Sequence, residues 1–371
     1  MIVNKELLYE VIEHFHFEGI LKTIKPYGSG HINDTYLLEY TIENKNDLLI
    51  ILQRMNTNIF KKPVELMENV MNITSFLRKK IIEYGGNPER ETLTVILNQE
   101  GKPYYLDSEG SYWRAYHYIV GTTGYDIVRD EEDFYQSALA FGRFQSLLAD
   151  YPAQTLHETI EGFHDTYKRF LAFQKAVKED ICGRAQNVQE EIHFVLEHED
   201  VAMILNEMNL PLRVTHNDTK LNNVLIDDKT HQAICVIDLD TVMPGLAVND
   251  FGDSIRFGAS TGSEDEKDLS KIECDMHLFE IYTKGFIKGC DGKLTNEEIL
   301  ALPIGAKVMT FECGMRFLTD YLQGDTYFKI QYPTHNLDRC RTQFKLVSDM
   351  EKKWDTMNEI VSRYLLKTQS L

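Results

Sequence analysis

Long apolar runs, paired cysteine motifs and an excess of basic charge are all missing from this sequence of 371 residues. No apolar run approaches the roughly 20 residues that a membrane-spanning helix needs. The six cysteines show no C-x-x-C spacing, which favours reduced thiols over a disulfide framework or a zinc site. With 39 basic and 58 acidic residues the formal charge is −19, which excludes nucleic acid and anionic membranes as partners because both attract basic surfaces.

The N-terminal segment carries Lys5, Glu6, Glu10 and Glu13 among its apolar residues. This pattern predicts an amphipathic helix and not a signal peptide. Together with reduced cysteines it predicts a cytoplasmic protein. A hydrophobic content of 43% lets a chain of this length bury a large core, which we expect to be divided into two lobes.

The most informative part of the chain is an ordered set of polar residues between positions 214 and 240. Four of them fit the spacing H-x-D-x-K-x-x-N, and a fifth follows twenty residues after the first aspartate: His216, Asp218, Lys220, Asn223 and Asp238. Phosphoryl transfer needs a carboxylate to take the hydroxyl proton, a cation near the moving phosphoryl group, and an Asn and a second carboxylate to hold Mg²⁺. We therefore predict that Asp218 and Lys220 are catalytic and that Asn223 and Asp238 bind the metal.

Two short β-type runs, 224–227 and 233–237, are separated by five mostly polar residues and predict a hairpin. Asn223 and Asp238 would then lie at neighbouring ends of two paired strands, close enough to share one ion. Asn and Asp are also common in turns, where their side chains bond nearby backbone. Turn chemistry explains any one of these residues but not the whole ordered set.

Hydrophobic periodicity divides the chain near residue 120. The first part predicts a helix at 5–15, strands at 24–27, 35–40, 48–54 and 112–120, a helix opened by Pro63, and a hairpin of 92–97 with 103–106. The second part predicts helices at 131–149, 161–179, 187–208, 264–288, 296–323 and 336–366. Thr295 and Glu298 form a capping box, and Pro303 should kink or split the helix that follows.

This order predicts an α+β protein with the bilobal arrangement of protein kinases. The N-terminal lobe, 1–120, would be rich in β-strands and bind the nucleotide. The C-terminal lobe, 121–371, would be mainly helical and carry the catalytic and substrate residues.

Five segments carry a resemblance to a known family: 28–36, 52–56, 215–224, 237–245 and 250–258. They resemble the aminoglycoside phosphotransferase and choline kinase family of small-molecule kinases, over most of the chain. The resemblance implies ATP as phosphoryl donor, Mg²⁺ as cofactor and an alcohol as acceptor. Within the family the segments are similar to kinases of N-acetylated hexosamines. That likeness implies transfer to the anomeric hydroxyl of N-acetylglucosamine or N-acetylgalactosamine.

The resemblance also implies where the nucleotide binds. A loop between the first two strands would approach the phosphates, although it has only two glycines and is a weak motif alone. Position 53, where related kinases carry a lysine, is Gln53; side chains alternate along a strand, so only one of Gln53 and Arg54 can face the cleft. Glu65 or Glu68 would be the helical partner carboxylate, although both could equally be exposed helix charges, as surface glutamates usually are. The nucleotide candidates are Gly28, Ser29, Gly30, Gln53, Arg54, Tyr116 and Tyr118.

The acceptor candidates come from the resemblance alone and are His31, Asp34, Asp218, Phe257, Arg316 and Tyr327. A sugar site needs such a mixture of polar groups and aromatic faces. Arg316 lies in an apolar helical run, where an arginine can simply lie along a helix edge.

We expect Asp250 to hold the catalytic loop through backbone bonds, whereas Asp240 is either a metal neighbour or a strand-end carboxylate. Two further functions stay open: a kinase of another small metabolite, such as a different sugar, an amino alcohol or an aminoglycoside, and a non-catalytic binding protein on a kinase fold.

Overall fold

The computed structural model describes residues 4–28 and 32–368. Contacts divide the chain into two compact units. The first unit contains the residues up to Asp126 together with Gln154–Glu161 and Val224–Met243. The second unit contains Ile127–Ala153, Gly162–Asn223 and the residues from Pro244 onward. The units are thus interleaved along the chain, and the boundary near residue 120 stays a prediction about domains.

The first unit is built on an antiparallel sheet of six strands, in the order β1-β2-β3-β6-β4 with β5 also paired to β6. Its elements up to residue 126 are α1 Lys5–Glu13, β1 Ile20–Pro26, β2 Asp34–Thr41, β3 Leu48–Arg54, α2 Pro63–Glu83, α3 Pro88–Glu91, β4 Val95–Ile96, β5 Tyr105–Leu106, β6 Tyr112–His117 and β7 Thr122–Gly124. Alternate residues of β2 are buried and join the apolar face of α1 in one hydrophobic core. This alternation fixes which side chains of β2 and β3 face away from the core.

The predicted hairpin of 92–97 with 103–106 is wrong, because β4 and β5 both pair with β6 and not with each other. The polar turn between them does form, since the Asn98 amide donates to the Lys102 carbonyl at 2.8 Å. At this turn Asn98 forms an isolated β-bridge with Phe15. The strand predicted at 112–120 ends earlier, at His117.

The remaining elements are mainly helical: α4 Glu131–Leu147, α5 Thr166–Glu179, α6 Gln189–Glu197, α7 Glu199–Glu207, β8 Arg213–Thr215, β9 Val224–Asp227, β10 Ala233–Val236, β11 Met243–Gly245, α8 Ala247–Gly258, α9 Met276–Gly289, α10 Asn296–Leu300, α11 Leu302–Leu322, α12 His335–Lys352 and α13 Trp354–Thr368. The hairpin of β9 with β10 is confirmed, and β7 adds to it as a third antiparallel strand within the first unit.

Local signals located several helix ends correctly. Thr295 and Glu298 make the predicted capping box, and the helix divides at Ala301 so that Pro303 lies in the first turn of α11. The helices predicted at 187–208 and 336–366 each divide in two, and the one predicted at 264–288 begins only at Met276.

Helix α8 was not predicted, because its sequence mixes two glycines with three charged residues. It packs tightly on α11, where a Cβ placed on Gly252 would lie 2.3 Å from the Gly305 carbonyl oxygen. The second unit has its own core, in which Phe170, Phe311 and Phe344 are among the buried members.

Within the described ranges, no helix is both long enough and apolar enough to cross a membrane. All six cysteines are free.

Candidate active site

Three of the polar residues in the H-x-D-x-K-x-x-N segment meet in the loop between β8 and β9. The Lys220 Nζ lies 2.9 Å from Asp218 Oδ1. The Asn223 side-chain nitrogen donates to the Asp218 carbonyl oxygen at 2.8 Å and to its Oδ2 at 3.2 Å. The Asp218 side chain is 25% exposed and that of Lys220 is 40% exposed, so a ligand can reach both. A carboxylate and an ammonium group are thus held side by side at an accessible place.

Asp250 of α8 holds this loop from below, which confirms the expectation for it. Its carboxylate accepts hydrogen bonds from the backbone amides of His216 at 2.9 Å and Asn217 at 2.8 Å. Gln145 donates a third bond at 2.8 Å. Burial raises the pKa of Asp250, and the two backbone bonds offset part of that rise. His216 itself is buried and makes edge contacts with the rings of Phe141 and Phe144.

The same face of α8 makes further bonds to the loop. Asp253 accepts from the Thr219 amide at 3.0 Å, and the Ser254 hydroxyl donates to the Thr219 carbonyl at 2.8 Å. Positions 250, 253, 254 and 257 recur with helical spacing, so they line one side of the helix. Phe257 therefore lies one turn beyond the residues that hold the catalytic loop, and its side chain is 37% exposed.

Lys220 is kept protonated by its neighbours. The Asp218 carboxylate raises the pKa of Lys220, burial opposes the rise, and Asp253 adds to it. Burial by itself would raise the pKa of Asp253, but the charges of Arg256 and Lys220 bring it below its usual value. The loop therefore presents a permanent cation beside the Asp218 carboxylate.

A buried histidine supports the residue that precedes Asp218, and no sequence signal had indicated it. His164 Nδ1 lies 2.9 Å from Glu312 Oε1, and its Nε2 lies 3.3 Å from the carbonyl oxygen of Asn217. Asn217 has a left-handed backbone with φ of 64°, which is uncommon outside glycine and tolerated by Asn. Because both ring nitrogens point at oxygen acceptors, only the protonated ring donates to both.

Glu312 completes this support from α11. Its second carboxylate oxygen accepts a hydrogen bond from the Thr166 hydroxyl at 2.6 Å. Burial would raise the pKa of Glu312, but the neighbouring His164 outweighs it and the pKa is lowered. The pair is found only in three dimensions, since its members are 148 residues apart.

Arg316, one turn after Glu312, is surrounded by aromatic rings. Its guanidinium carbon lies 5.3 Å from the ring centroid of Phe163, 5.8 Å from Tyr327 and 5.6 Å from Phe328. Burial and the charge of Arg316 lower the pKa of Arg169. Two guanidinium groups are therefore neighbours, and the simple picture of Arg316 as a stem along a helix edge is incomplete.

The loop after α11 carries Tyr327, which is 55% exposed. Asp320 fixes this loop by accepting hydrogen bonds from the backbone amides of Thr326 and Tyr327, both at 2.8 Å, and Phe328 at 3.0 Å. The buried Asn336 donates to the same carboxylate at 2.8 Å. No sequence motif predicted this role of Asp320. The available signal was an Asp placed before a loop rich in aromatic residues.

The predicted nucleotide loop is described only in part. The Tyr27 amide donates to the Thr35 carbonyl at 2.9 Å, and Gly28 has a left-handed backbone with φ of 79°. Ser29, Gly30 and His31 lie outside the described residues.

The tyrosine candidates near the end of β6 differ in accessibility. The hydroxyl groups of Tyr27 and Tyr118 lie 3.2 Å apart, whereas Tyr116 is buried at the end of β6. Tyr118 thus contacts the start of the nucleotide loop, and Tyr116 belongs to the strand core.

Gln53 and Arg54 point to different partners, as strand alternation requires. The Gln53 amide donates to the Thr35 hydroxyl at 3.0 Å and accepts from Arg114 Nε at 3.1 Å. Arg54 donates to the carboxylate of Asp34 at 2.9 Å. Asp34 is one of the residues predicted to bind the sugar.

Of the two interpretations of Glu65 and Glu68, the structure supports helix charges and not a partner carboxylate for residue 53. Glu65 pairs with Lys62 at 3.0 Å and Glu68 with His157 at 2.7 Å. Gln53 carries no charge to attract either glutamate, and its amide is already engaged on both sides.

Residues 23–270 match the family model described as the phosphotransferase enzyme family, which is more than half of the chain. The protein belongs to this phosphotransferase family.

Three solved structures have the same fold as this chain. An aminoglycoside phosphotransferase from Alicyclobacillus acidocaldarius is 11% identical with a TM-score of 0.61, covering 96% of each chain. A spectinomycin phosphotransferase in complex with ADP and spectinomycin is 13% identical with a TM-score of 0.57, covering 94% of this chain and 98% of its own. A choline kinase from Cryptosporidium parvum is 15% identical with a TM-score of 0.55, covering 93% of each chain.

These likenesses confirm the α+β, protein-kinase-like fold, with its antiparallel sheet in the N-terminal region and a mainly helical remainder.

The donor set of this phosphotransferase fits a kinase metal. No group of three His, Cys, Asp or Glu residues in the described part of the chain is placed to hold a metal by itself. A kinase Mg²⁺ needs only one or two protein oxygens, because phosphates supply others. The nitrogen of Asn223 is committed to Asp218, which leaves the amide oxygen for another partner. Val224, directly after Asn223, pairs with Val236, two residues before Asp238.

Proposed function

We propose that this phosphotransferase moves the γ-phosphoryl group of ATP to the anomeric hydroxyl of N-acetylglucosamine or N-acetylgalactosamine, producing the sugar 1-phosphate and ADP. The observation that carries the reaction type is the accessible pair of Asp218 and Lys220, held by α8 in a member of a phosphotransferase family. The choice of sugar rests on the sequence resemblance and on the chemistry around Arg316.

Asp218 accepts the proton of the sugar hydroxyl while the oxygen–phosphorus bond forms and the bond to the ADP oxygen breaks. Lys220 stays protonated and opposes the negative charge on the transferred group. Phosphoryl transfer of this kind depends mainly on positioning and charge stabilisation. The bonds from Asp250 and Asp253 to the loop supply that positioning.

Asn223 and Asp238 would hold Mg²⁺ through an amide oxygen and a carboxylate. When bound, the ion neutralises the charge of the nucleotide phosphates. The nucleotide itself would lie along Gly28, Ser29 and Gly30, with its base near the segment that contains Tyr116 and Tyr118. Because ATP is the donor, we propose the cytoplasm as the site of action.

The surroundings of Arg316 favour a neutral acceptor over an amine. A cationic substrate such as a quaternary ammonium compound is bound by open aromatic faces. Here the faces of Phe163, Tyr327 and Phe328 are already occupied by the guanidinium of Arg316. Arg169 adds a second positive charge nearby. Hydroxyl and acetamido oxygens can accept from such donors, whereas an ammonium group is repelled.

The anomeric hydroxyl is the most acidic alcohol of a sugar. A well-placed carboxylate can assist its deprotonation late in a loose transition state. Phe257, Arg316 and Tyr327, with Asp34 and His31, are the residues we propose to surround the sugar. Another neutral sugar is the second candidate, because it would meet the same guanidinium groups.

An acceptor panel tests the proposal. The protein is incubated with ATP, Mg²⁺ and one of four acceptors: N-acetylglucosamine, N-acetylgalactosamine, choline or an aminoglycoside. Phosphorus NMR then identifies the product. We expect phosphorylation of at least one amino sugar with phosphorus coupled to H1, and none of choline or the aminoglycoside. Preferential phosphorylation of choline or the aminoglycoside would contradict the acceptor assignment, and transfer to none of the four acceptors would contradict the proposed function.

A further inference from the structure

A fully buried arginine lies in the strand next to position 53. Arg114 of β6 is 1% exposed and is the register partner of Gln53 on β3. Its guanidinium forms an ion pair with Asp240, whose side chain is 4% exposed. The charge of Asp240 raises the pKa of Arg114 against the effect of burial, and Asp238 contributes in the same direction. A buried charge of this kind is stable only when it is fully paired.

Both oxygens of Asp240 are engaged by buried or partly buried partners. Arg114 donates to Oδ1, and the side-chain nitrogen of Asn33 donates to Oδ2 at 2.7 Å. The oxygen of Asn33 in turn accepts from the Asn56 amide at 3.0 Å. Of the two roles open to Asp240, these contacts favour a structural carboxylate over a metal neighbour.

The backbone around Asp240 is also fixed. The Thr159 hydroxyl donates to the Asp240 carbonyl at 3.0 Å, and Asn69 donates to the Val242 carbonyl at 3.1 Å. Asp238, two residues earlier, has a left-handed backbone with φ of 59°. A non-glycine residue in this conformation persists only when its surroundings hold it there. The network around Asp240 supplies that support on one side of Asp238.

We propose that Arg114 of β6 is a positioning residue for nucleotide binding. It supplies the positive charge that is missing at its neighbour on β3, Gln53. Through Asp240 it ties two segments together: the turn that carries Asp238, and the end of the nucleotide loop at Asn33. This inference rests on the proposed function. Arg114 acts through Asp240. Glu65 and Glu68 are not its partners, since they pair with Lys62 and His157.

Binding of Mg²⁺ with the ATP analogue AMP-PNP, measured by calorimetry without an acceptor, tests the inference. Arg114→Lys keeps the charge but loses the planar guanidinium that donates to Gln53 and Asp240 at once. Asn33→Ala removes the loop contact without burying an unpaired charge. Both variants should bind Mg²⁺–AMP-PNP about 10- to 100-fold more weakly than the parent, the usual cost of losing a partner that orients a metal ligand. KM for the acceptor should change much less.

Arg90→Met is the matched control, because Arg90 forms a different ion pair of the first unit, with Asp227 at 2.8 Å. It should lower the melting temperature and leave Mg²⁺–AMP-PNP affinity unchanged. If Arg114→Lys does not fold, Asn33→Ala decides the outcome. A folded Asn33→Ala or Arg114→Lys protein with parental affinity would overturn the inference while leaving the kinase function intact. A parent protein that does not bind AMP-PNP would instead contradict the proposed function, and this inference with it.

Discussion

The catalytic loop and the aromatic loop after α11 are held in similar ways but differ in exposure. An aspartate under each loop accepts bonds from consecutive backbone amides: Asp250 under the catalytic loop and Asp320 under the aromatic loop. Asp250 and Asp253 hold a buried part of the catalytic loop, His216, Asn217 and Thr219, whereas Tyr327 of the aromatic loop is 55% exposed. One region thus preserves a fixed arrangement for chemistry. The other presents an exposed aromatic surface that is free to differ between acceptors.

This difference separates two kinds of variant. Changes in the catalytic loop should reduce turnover with every acceptor, because they alter the reacting groups. Changes in the aromatic loop should alter KM for the acceptor and leave nucleotide binding unchanged. A substitution in either loop that changed turnover and acceptor KM equally would show that the two regions do not have separate roles.

The largest effect is expected for Asp218→Asn. The amide keeps the size of the side chain but cannot take a proton, so turnover should fall at least about 10²-fold, as for the loss of a general base. Melting temperature and AMP-PNP affinity should stay close to those of the parent. Steady-state kinetics with calorimetry checks this, and parental turnover in a folded variant would rule out Asp218 as the base.

A smaller effect is expected for the metal ligands. Asn223→Ala and Asp238→Ala should each raise the Mg²⁺ concentration needed for half-maximal activity about tenfold or more, because Mg²⁺ tolerates few lost oxygen ligands. Magnesium titrations at fixed ATP measure the shift. Overlapping curves for the parent and both variants would be incompatible with the proposed ligand pair.

The aromatic loop should give an effect confined to the acceptor. Asp320→Ala leaves three backbone amides without their acceptor, and it should raise KM for the sugar roughly 3- to 10-fold as the loop loosens, in line with the cost of about 1 kcal/mol for a lost hydrogen bond. KM for ATP should be unchanged. Equal increases in both constants would indicate general destabilisation instead.

The last effect is on stability and not on catalysis; it concerns the His164–Glu312 pair and depends on pH. The pKa of Glu312 is lowered in the fold from its ordinary value of 4.5, so the ionised carboxylate stabilises the protein above that value. This contribution is lost as pH falls below it. Glu312→Gln should therefore lower the free energy of unfolding by about 1–3 kcal/mol at neutral pH. The difference in the free energy of unfolding between the parent and Glu312→Gln should become smaller as pH falls below 4.5. Urea denaturation at several pH values measures it.

The sequence predicted those parts of the site whose residues are neighbours along the chain. The spacing from His216 to Asn223 predicted that Asp218, Lys220 and Asn223 lie together, and Pro303 marked a helix boundary, because both signals are local. Sequence reasoning missed Arg114, His164 and Glu312, because the role of each depends on a partner more than 100 residues away.

Helix α8 was also missed, because polar and glycine residues face the loop and the neighbouring helix where a surface helix would show an apolar stripe. The register of β4 and β5 depends on β6 and could not be found from turn residues alone.

The most direct test of the proposed function is whether Asp218 accepts its proton from the anomeric hydroxyl. The protein is given ATP, Mg²⁺ and either N-acetylglucosamine or its methyl glycoside, which keeps the acetamido group and all other hydroxyls. Reducing ends are assayed and phosphorus coupling to H1 or H6 is measured. We expect loss of reducing ends, phosphorus coupling to H1 and no reaction of the methyl glycoside. Phosphorylation at C6, or turnover of the methyl glycoside at the rate of the free sugar, would contradict it.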